Sequence, residues 1–488
     1  MVNYRSHFRD LDGWSGYGVP LTTTSNEAVK MYDAALDQMV YYYNDPQLGG
    51  AGECIRKMFV ADPNFVAGNL LKLSLELYVT NNDQARAKFD AYCAGLDFDK
   101  LHSFEKMHIG AARCLYKEDL VGAMKQYAKI SEQFPYDIHS FNLGFVLGLI
   151  TGHTSFLRDI PLAIVDQYKP HQPHYGLVHG KLCFGHAEMA EYESAKRCGD
   201  IALEAFPLDS WAVHAMAHMY ENQSQPKEEI KFLEETAKHW TRGINFSHHI
   251  HWHNANAYTQ LRDYDSAMSI YDTHIAPCTA PGDVFPLSDA SSLLMRMKID
   301  GQDIGDRHIR LAQVTVYFFP CKVIFMTYRY KVRLSILDCI SNHVYFQMWS
   351  ECNDDFTSFF YEGHSSFAAA MAGDTDSIDT LLTNMREYIA SDRGGWNKVV
   401  TTKYGVQLVE GMRLMSEEDY AGAAVKLAAS VPEVVKMMHG SKAQKSIFSL
   451  VYVNCAVLSG NKVHLDQVRL ESKIFVKILL LRKVIITY

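Results

Sequence analysis

The 488-residue sequence has no C-x-x-C pair, and its ten cysteines are scattered singly between Cys54 and Cys455. This spacing excludes a zinc ribbon and a thioredoxin-type site, and it argues against a dense disulfide framework. Positive charge is also scarce, since the formal net charge is −9, so the chain has no basic field that would attract nucleic acid. We expect a cytoplasmic protein without a nucleic-acid partner.

Long uninterrupted apolar runs are missing as well. The first residues, MVNYRSHFRDLDGW, carry Arg5, Arg9, Asp10 and Asp12, so they lack the apolar segment of a signal peptide. The longest apolar stretches, 314–323 and 474–488, contain Lys or Arg. Both are shorter than the roughly 20 residues that a membrane-spanning helix needs. The sequence therefore predicts no membrane span.

Familiar catalytic motifs are absent too. The segment GWSGYG does not match G-x-S-x-G, because Tyr17 stands where the last glycine belongs. The sequence contains no phosphate loop, no dinucleotide fingerprint and no H-E-x-x-H motif. These absences favour a non-enzymatic protein.

A 72-residue period is the main positive feature of the chain. Three alanines recur at this step, each preceded three positions earlier by Leu or Tyr: Ala123, Ala195 and Ala267, after Leu120, Tyr192 and Tyr264. A step of 72 corresponds to two helical hairpins of about 36 residues, and a fixed period in this range is typical of stacked helical units that share one core. The sequence predicts an all-α protein, an α-α superhelix of helical hairpins.

The repeat pattern divides the chain into five segments. Hairpins around 138–172 and 210–240 have helical patterning but fit the repeat poorly, whereas Gly411, Tyr420 and Ala423 restore the spacing, so we expect the repeats to resume near residue 404. The predicted segments are an irregular leader or cap at 1–25, repeats at 26–313, an anomalous insertion at 314–347, further repeats at 348–460 and a divergent tail at 461–488.

The insertion at 314–347 differs from the rest of the chain, with many aromatic and β-branched residues and a single acid, Asp338. Three interpretations remain open: an inserted β-hairpin or lid, a helix docked on the surface, or residues foreign to the fold such as a translated intron. The tail has the same bias and no acid after Glu471, so the last interpretation extends to it, with an amphipathic membrane contact as its alternative.

Two histidine pairs are the strongest candidates for a functional site. His214 and His218 are four residues apart, with Glu221 three residues further on, and His249 and His253 repeat the spacing. Residues at i and i+4 share one face of a helix. The repeat register assigns both pairs to the first helix of a hairpin, which lines the concave groove of such a superhelix. The four histidines therefore form a candidate site for a divalent metal such as zinc, or iron.

A simpler interpretation is a polar groove in which these histidines form hydrogen bonds. The predicted groove residues are His214, His218, Glu221, His249, His253 and Asn256, with Asn254 beside them. Further polar candidates have no spacing that connects them to the cluster: Asp272, His274, Asp289 and His364.

Several segments resemble the tetratricopeptide repeat protein 38 family. The resemblance is carried by PLTTTSNEA (20–28), ADPNFVAG (61–68), Phe184 to Tyr192, WAVHAMAHMYE (211–221), the second histidine pair and DYDSAMSIYDTHI (263–275). It covers most of 15–313 and, more weakly, 348–460. It implies a tetratricopeptide-type superhelix, and both histidine pairs and Glu221 match the family pattern. The family has no agreed activity, and its pattern has no counterpart for 314–347.

Two functions are therefore open. The first is a non-enzymatic scaffold that binds a protein or peptide in its concave groove; a scaffold without any pocket is its plainest form. The alternative is a metal-binding protein or metal-dependent hydrolase-type enzyme, with Glu221 as ligand or general base. Convergence of the four imidazoles within roughly 4–5 Å of one point would favour the metal, since metal–nitrogen bonds are about 2.0–2.1 Å. Histidines spread along the groove, or packed against tryptophan, would disfavour it.

Overall fold

The computed structural model describes residues 5–79, 82–241, 246–279, 284–316 and 358–471. The described residues form helices joined by short turns and contain no strand, which confirms the predicted all-α superhelix of hairpins. Most of the anomalous insertion (317–347) and the end of the tail (472–488) lie outside the described residues, and the predictions made for them stay predictions.

The helices are numbered in chain order. The first half contains α1 (Leu11–Gly16), α2 (Asn26–Tyr41), α3 (Gly50–Ala61), α4 (Val66–Val79), α5 (Asp83–Ala94), α6 (Ser103–Tyr116), α7 (Leu120–Gln133), α8 (Ile138–Ile150), α9 (Thr154–Ile164), α10 (Tyr175–Glu188), α11 (Tyr192–Ala205) and α12 (Ser210–Asn222). The second half contains α13 (Pro226–Trp240), α14 (Ser247–Gln260), α15 (Tyr264–Ile270), α16 (Val284–Ile299), α17 (Arg307–Val316), α18 (Phe359–Ala372), α19 (Thr375–Ala390), α20 (Trp396–Val400), α21 (Val406–Ser416), α22 (Tyr420–Met437), α23 (Lys442–Leu458) and α24 (Lys462–Glu471).

Helices pack mainly against their neighbours in the chain. From α6 to α15, each helix contacts the next one, and the first helices of successive hairpins also contact one another, as in the series α10, α12, α14 and α16. This is the packing of a superhelix, in which each hairpin buries its apolar face against its neighbours. The first helices of the hairpins thereby form one continuous inner layer.

The 72-residue period has a simple structural origin. The second helices of five successive hairpins, α7, α9, α11, α13 and α15, begin at residues 120, 154, 192, 226 and 264, so their steps alternate between 34 and 38 residues. Two hairpins thus make one 72-residue unit. The alanines that revealed the period, Ala123, Ala195 and Ala267, are all 0% exposed.

Each of these hairpins turns through a left-handed residue. The residue two positions before the second helix has φ between 57° and 71° in all five, at Glu118, Gly152, Ala190, Ser224 and Arg262, and Glu418 before α22 has the same conformation. A side-chain cap often follows at the next position, as where Asp119 accepts from the Gly122 amide and Asp419 from the Gly422 amide. This shared turn is part of the structural repeat and was not recognised in the sequence.

The structure adds detail to two of the predicted segments. The leader is not wholly irregular, because Asp10 caps the short helix α1 by accepting from the Gly13 amide, and Trp14 of this helix is fully buried. Within the segment predicted at 348–460, helices begin before residue 404, where the repeat spacing becomes recognisable. Helix α18 already begins at Phe359, and the helical run that contains Gly411 begins at Trp396. Since the repeat pattern is recognisable only around Gly411 and Tyr420, the earlier hairpin was not located from the sequence.

The chain closes back on itself through α23. This helix packs against α12 and α16, two helices of the inner layer, as well as against its neighbours α22 and α24. The inner face of α12 and α16 is therefore covered near its centre. Within the described part of the chain, no helix has the length and apolar character required to cross a bilayer.

Candidate metal centre

Helix α12 carries the first histidine pair. Asp209 caps the helix by accepting from the Ala212 amide at 3.0 Å, and residues 210–219 are buried on every side of the helix. Alanines at 212, 215 and 217 leave room for close helix contacts. Because His214 and His218 are one turn apart, their imidazoles point in the same direction.

Helix α14 carries the second pair beside α12. The two helices are in contact, and His249 and His253 face His214 and His218. The ring centroids of His218 and His253 are 4.4 Å apart, and those of His214 and His249 are 4.9 Å apart. Each helix therefore supplies two imidazoles to one interior point.

The four histidines offer ring nitrogens that all lie within 4.8 Å of one another. The Nε2 atom of His214 is 2.8 Å from Nε2 of His218 and 3.2 Å from Nε2 of His249. A tetrahedral ion with bonds of about 2.0–2.1 Å would place nitrogens about 3.3–3.4 Å apart. The observed spacing is close to this value, so the convergence expected of a metal site is present.

The rings also pack against tryptophan, the feature that would disfavour a metal. The shell around the cluster consists of aromatic side chains on four neighbouring segments: Phe184, Trp211, Phe246, Trp252 and Phe285. The four histidines are between 0% and 4% exposed. The rings thus pack against tryptophan while their nitrogens converge, because the apolar shell surrounds the cluster and the ring nitrogens face each other inside it. Such a shell keeps solvent away from a metal.

Carboxylates orient two of the imidazoles. His249 Nδ1 lies 2.9 Å from Asp289 Oδ2 on α16, and His253 Nδ1 lies 2.9 Å from Glu221 Oε2 on α12. In each pair the carboxylate accepts from Nδ1–H, which leaves the Nε2 lone pair directed toward the other histidines. This is the arrangement by which carboxylates orient metal-binding histidines.

Burial keeps the imidazoles of His214, His218 and His249 neutral. The pKa values of His214, His218 and His249 lie well below the usual 6.5, first because burial disfavours the charged ring and then because neighbouring imidazoles repel a second charge. Burial also raises the pKa of Asp289 to about 7. A neutral imidazole is the form that binds a metal.

Three ring nitrogens of the four histidines make no hydrogen bond among the described residues, Nδ1 of His214, Nδ1 of His218 and Nε2 of His253, and the last of these is one of the four Nε2 atoms. His253 is fully buried, and its Nε2 atom makes no hydrogen bond among the described residues. A buried ring nitrogen without a partner carries a desolvation cost. An ion bound among the four Nε2 atoms would remove that cost, so the residues present fit a metal.

A second, smaller group of possible ligands shares His253. Its other members are Glu221 and Glu229, and the Glu229 Oε1 atom is 4.0 Å from His253 Nδ1. His253 therefore has histidines on one side and carboxylates on the other.

Charged side chains lie on several sides of the cluster. Four buried or nearly buried carboxylates surround it, at Glu188, Glu221, Glu229 and Asp289. Cationic side chains are also close, since Arg296 interacts with Glu221, Lys445 with Glu188, and Lys181 with His214.

The other residues predicted for the site are distributed as follows. Asn256 lies on α14 and is 3% exposed, and its side-chain amide has no hydrogen-bond partner among the described residues. Asp289, which no spacing in the sequence connected to the cluster, contacts His249 directly. Asp272 instead pairs with Arg307, and His274 stacks on His251 with centroids 3.8 Å apart.

His364, the last of the polar candidates, lies in α18. Its Nδ1 atom contacts the Phe360 carbonyl oxygen at 2.7 Å, and the side chain does not belong to the metal group.

Some residues around the centre were missed. Asp289 is the sole charged residue in the segment VFPLSDASSLLM, and an isolated acid in an apolar helix could have identified it. Glu188 and Arg296 were not assigned to the site because their contacts depend on α23, far away in the sequence. Lys181, fully buried with its ammonium 3.6 Å from the Trp211 ring centroid, gave no signal by spacing.

Comparison of the sequence with known protein-family models finds no model that matches it.

Proposed function

We propose that this protein is a metal-binding helical-repeat protein that holds one divalent ion, zinc in the first instance, through His214, His218, His249 and His253. The observation that supports the proposal best is the convergence of the four ring nitrogens within 4.8 Å in a fully enclosed interior. The two carboxylate contacts, from Asp289 and Glu221, agree with it because they orient two of the rings.

The proposed ion has a structural role. Four protein nitrogens complete a tetrahedral shell, and closed shells of this kind belong to structural rather than catalytic zinc sites. The aromatic shell favours the same role because it leaves the cluster without exposure to solvent. A hydrolase would need an open position for water or substrate. We therefore propose that the protein is not an enzyme.

Peptide binding through the predicted groove residues has less support. The four histidines and Asn256 are at most 4% exposed, and α23 covers the neighbouring faces of α12 and α16. A protein partner would have to bind elsewhere on the superhelix. Membership of the tetratricopeptide repeat protein 38 family and a cytoplasmic location remain proposals, the first supported by the buried alanines of the hairpins.

Metal analysis of the purified full chain tests the proposed function. After incubation with zinc and removal of excess ion, elemental analysis should find about one zinc per chain, and His218→Ala should retain far less. The physical reason is that His218 supplies one of four bonds, whose combined binding free energy for structural zinc is about 10–16 kcal/mol.

His251→Ala is the matched control. It removes an imidazole from α14, the helix that carries His249 and His253, but this ring stacks on His274 outside the cluster. The control should keep the zinc. Circular dichroism on both variants checks that the helices remain folded. A wild-type chain that takes up no zinc, or equal zinc in both variants, would refute the proposal.

A further inference from the structure

The N-terminus of α23 is bonded to a carboxylate that also faces the histidine cluster. Glu188, the last residue of α10, accepts from the Lys442 amide through Oε2 at 2.9 Å. Its other oxygen, Oε1, is 3.7 Å from Nδ1 of His218. Glu188 is 2% exposed. One buried side chain therefore connects the proposed metal centre to a helix that begins 254 residues later.

A second connection runs through α16. Arg296 donates to the Ala443 carbonyl oxygen at 3.0 Å and to Ser446 Oγ at 2.9 Å, both in the first turns of α23. The same helix carries Asp289, which bonds His249. Residues 289 and 296 are seven positions apart, two turns along one face of a helix. Two of the three carboxylates that approach the cluster from outside α12 and α14, Glu188 and Asp289, thus belong to helices that hold α23; the third, Glu229, lies on α13.

We propose that binding of a divalent metal to the four histidines controls the docking of α23. This inference rests on the proposed function. An ion bound to Nε2 of His218 leaves the ring proton on Nδ1, which faces Glu188, and it fixes α12 and α14 relative to each other. The surface formed by α10, α12 and α16 then has one arrangement, the one in which Glu188 and Arg296 reach α23.

Loss of the ion releases this constraint. The imidazoles then take other rotamers and hydrogen bonds, and α23 undocks more often. Undocking exposes the apolar side of α23, which includes the fully buried Ile447, Phe448 and Val451. Because coupling between two equilibria is reciprocal, docking of α23 also raises the affinity of the centre for its ion. Helix α23 is therefore docked over α12 and α16 in a metal-dependent way.

Hydrogen exchange on the full chain, measured by mass spectrometry with and without zinc, tests this coupling. Zinc should slow exchange in peptides from 442–458 by about fivefold or more, the usual lower range of coupling between sites. Peptides from α4, at 66–79, are not in contact with α12, α14 or α23 through their principal packing and should change little.

Two substitutions at one position isolate the Glu188 contact. Lys442→Pro removes the amide that donates to Glu188, and proline is well tolerated at the first position of a helix. Ser441 before it is extended, with ψ of 170°, as a residue before proline requires. Lys442→Ala keeps the amide and serves as the control.

Lys442→Pro should still bind one zinc, because the histidines are untouched, but zinc should no longer slow exchange in 442–458 to the same degree. Lys442→Ala should respond like the wild type. If the wild type binds zinc and its exchange in 442–458 does not change, the coupling is refuted while the proposed function stands. If the wild type binds no zinc, both are refuted. Equal zinc responses in the two variants would refute the role of the Glu188 contact.

Discussion

Gly185 shows at the scale of a single residue how closely neighbouring helices approach. A Cβ atom at this position on α10 would lie 2.3 Å from the Leu157 carbonyl oxygen and 2.5 Å from the Arg158 Cα. Both are backbone atoms of α9, which cannot rotate away as a side chain could. The glycine is therefore required by the contact between α9 and α10 rather than by a turn.

Gly185→Ala should destabilise the protein because α9 and α10 must move apart. Overpacking typically costs about 1–3 kcal/mol, and a clash with backbone belongs to the upper end. Thermal unfolding followed by circular dichroism should show a clearly lower midpoint.

Gly110→Ala is the matched control for this prediction. Gly110 is exposed in α6, and a Cβ atom there meets nothing within 4 Å. Alanine at such a helical position should stabilise by about 0.4–1 kcal/mol, since it restricts the unfolded chain. Equal midpoints for the two variants would contradict the close contact at Gly185.

The histidine pairs could be recognised from the sequence because their i, i+4 spacing is local. Helix geometry alone places His214 and His218 on one face, and the same holds for His249 and His253. An isolated acid in an apolar helix marks Asp289 as unusual, but its contact with His249 could not be predicted, because that contact depends on the packing of α16 against α14. Residue spacing in the sequence gives no information about the distance between side chains on different helices.

Ion pairs from two arginines hold the leader, residues 1–25, against α2. Arg5 pairs with Asp33 at 2.7 Å and with Asp37 at 3.1 Å, and Arg9 pairs with Asp33 at 2.6 Å. His174, near the start of α10, lies 3.0 Å from Asp37. These contacts hold the leader against α2 and toward α10.

The carboxylates of this network have lowered pKa values. Burial alone would raise the pKa of Asp37, but hydrogen bonding from His174 and the charge of Arg5 outweigh it and lower the pKa to about 2. For Asp33, burial is likewise outweighed by the charges of Arg9 and Arg5. The pKa of His174 is also lowered, first by its burial.

Docking of the leader should therefore weaken in acid. The carboxylates ionise more readily in the folded state, so their contribution is present above the unfolded pKa of about 3.9 and is lost as pH falls through the lower folded values. His174 acts in the same direction, because a ring that is kept neutral in the fold favours unfolding below about pH 6.5. The net prediction is progressive release of the leader from about pH 6.5 to about pH 2.

Short pulses of pepsin between pH 2 and 5, with mass spectrometry of the fragments, measure this release. Cleavage between residues 5 and 21 should begin at a higher pH than the loss of helical circular dichroism. Asp37→Asn should shift the onset toward neutral pH, whereas Asp12→Asn, at an exposed leader position, should leave it unchanged. Cleavage that starts only when the helices unfold would contradict the prediction.

The ends of many helices can be predicted from the sequence, because the residues that begin or end a helix lie next to it in the chain. Pro63, Pro135 and Pro207 each lie two residues after the end of a helix, at α3, α7 and α11. Ser25, directly before the first residue of α2, caps this helix by accepting from the Ala28 amide. In most of these turns the left-handed residue gave no sequence signal, because it is Glu, Ala, Ser or Arg; the α8–α9 turn has a glycine there, Gly152.

At the scale of the whole molecule, metal binding should raise thermal stability. A ligand that binds only the folded chain stabilises it by about 2.7 kcal/mol at a free concentration of 100 times its Kd. The unfolding midpoint should therefore rise with zinc concentration in the wild type.

His218→Ala should show a much smaller rise, and His251→Ala should behave like the wild type. Differential scanning calorimetry over a series of zinc concentrations measures all three proteins. An unfolding midpoint that is independent of zinc in the wild type would contradict the prediction.

Regular repeats predict how neighbours stack, and this is why the superhelix followed from a period of 72 residues. The return of α23 onto α12 and α16 follows no such rule, because it joins residues as far apart as Glu188 and Lys442. The prediction of an open groove around the histidines did not include this contact.

The position of α23 late in the chain also has a consequence for biosynthesis. Asp289, the last of the groups that face the histidines directly, precedes Lys442 by 153 positions (442 − 289). At about 5–20 residues per second, a ribosome needs roughly 8–30 s to make that stretch. During this interval the proposed centre would already have its four histidines and Asp289 but not α23, which would give an ion easier access to it.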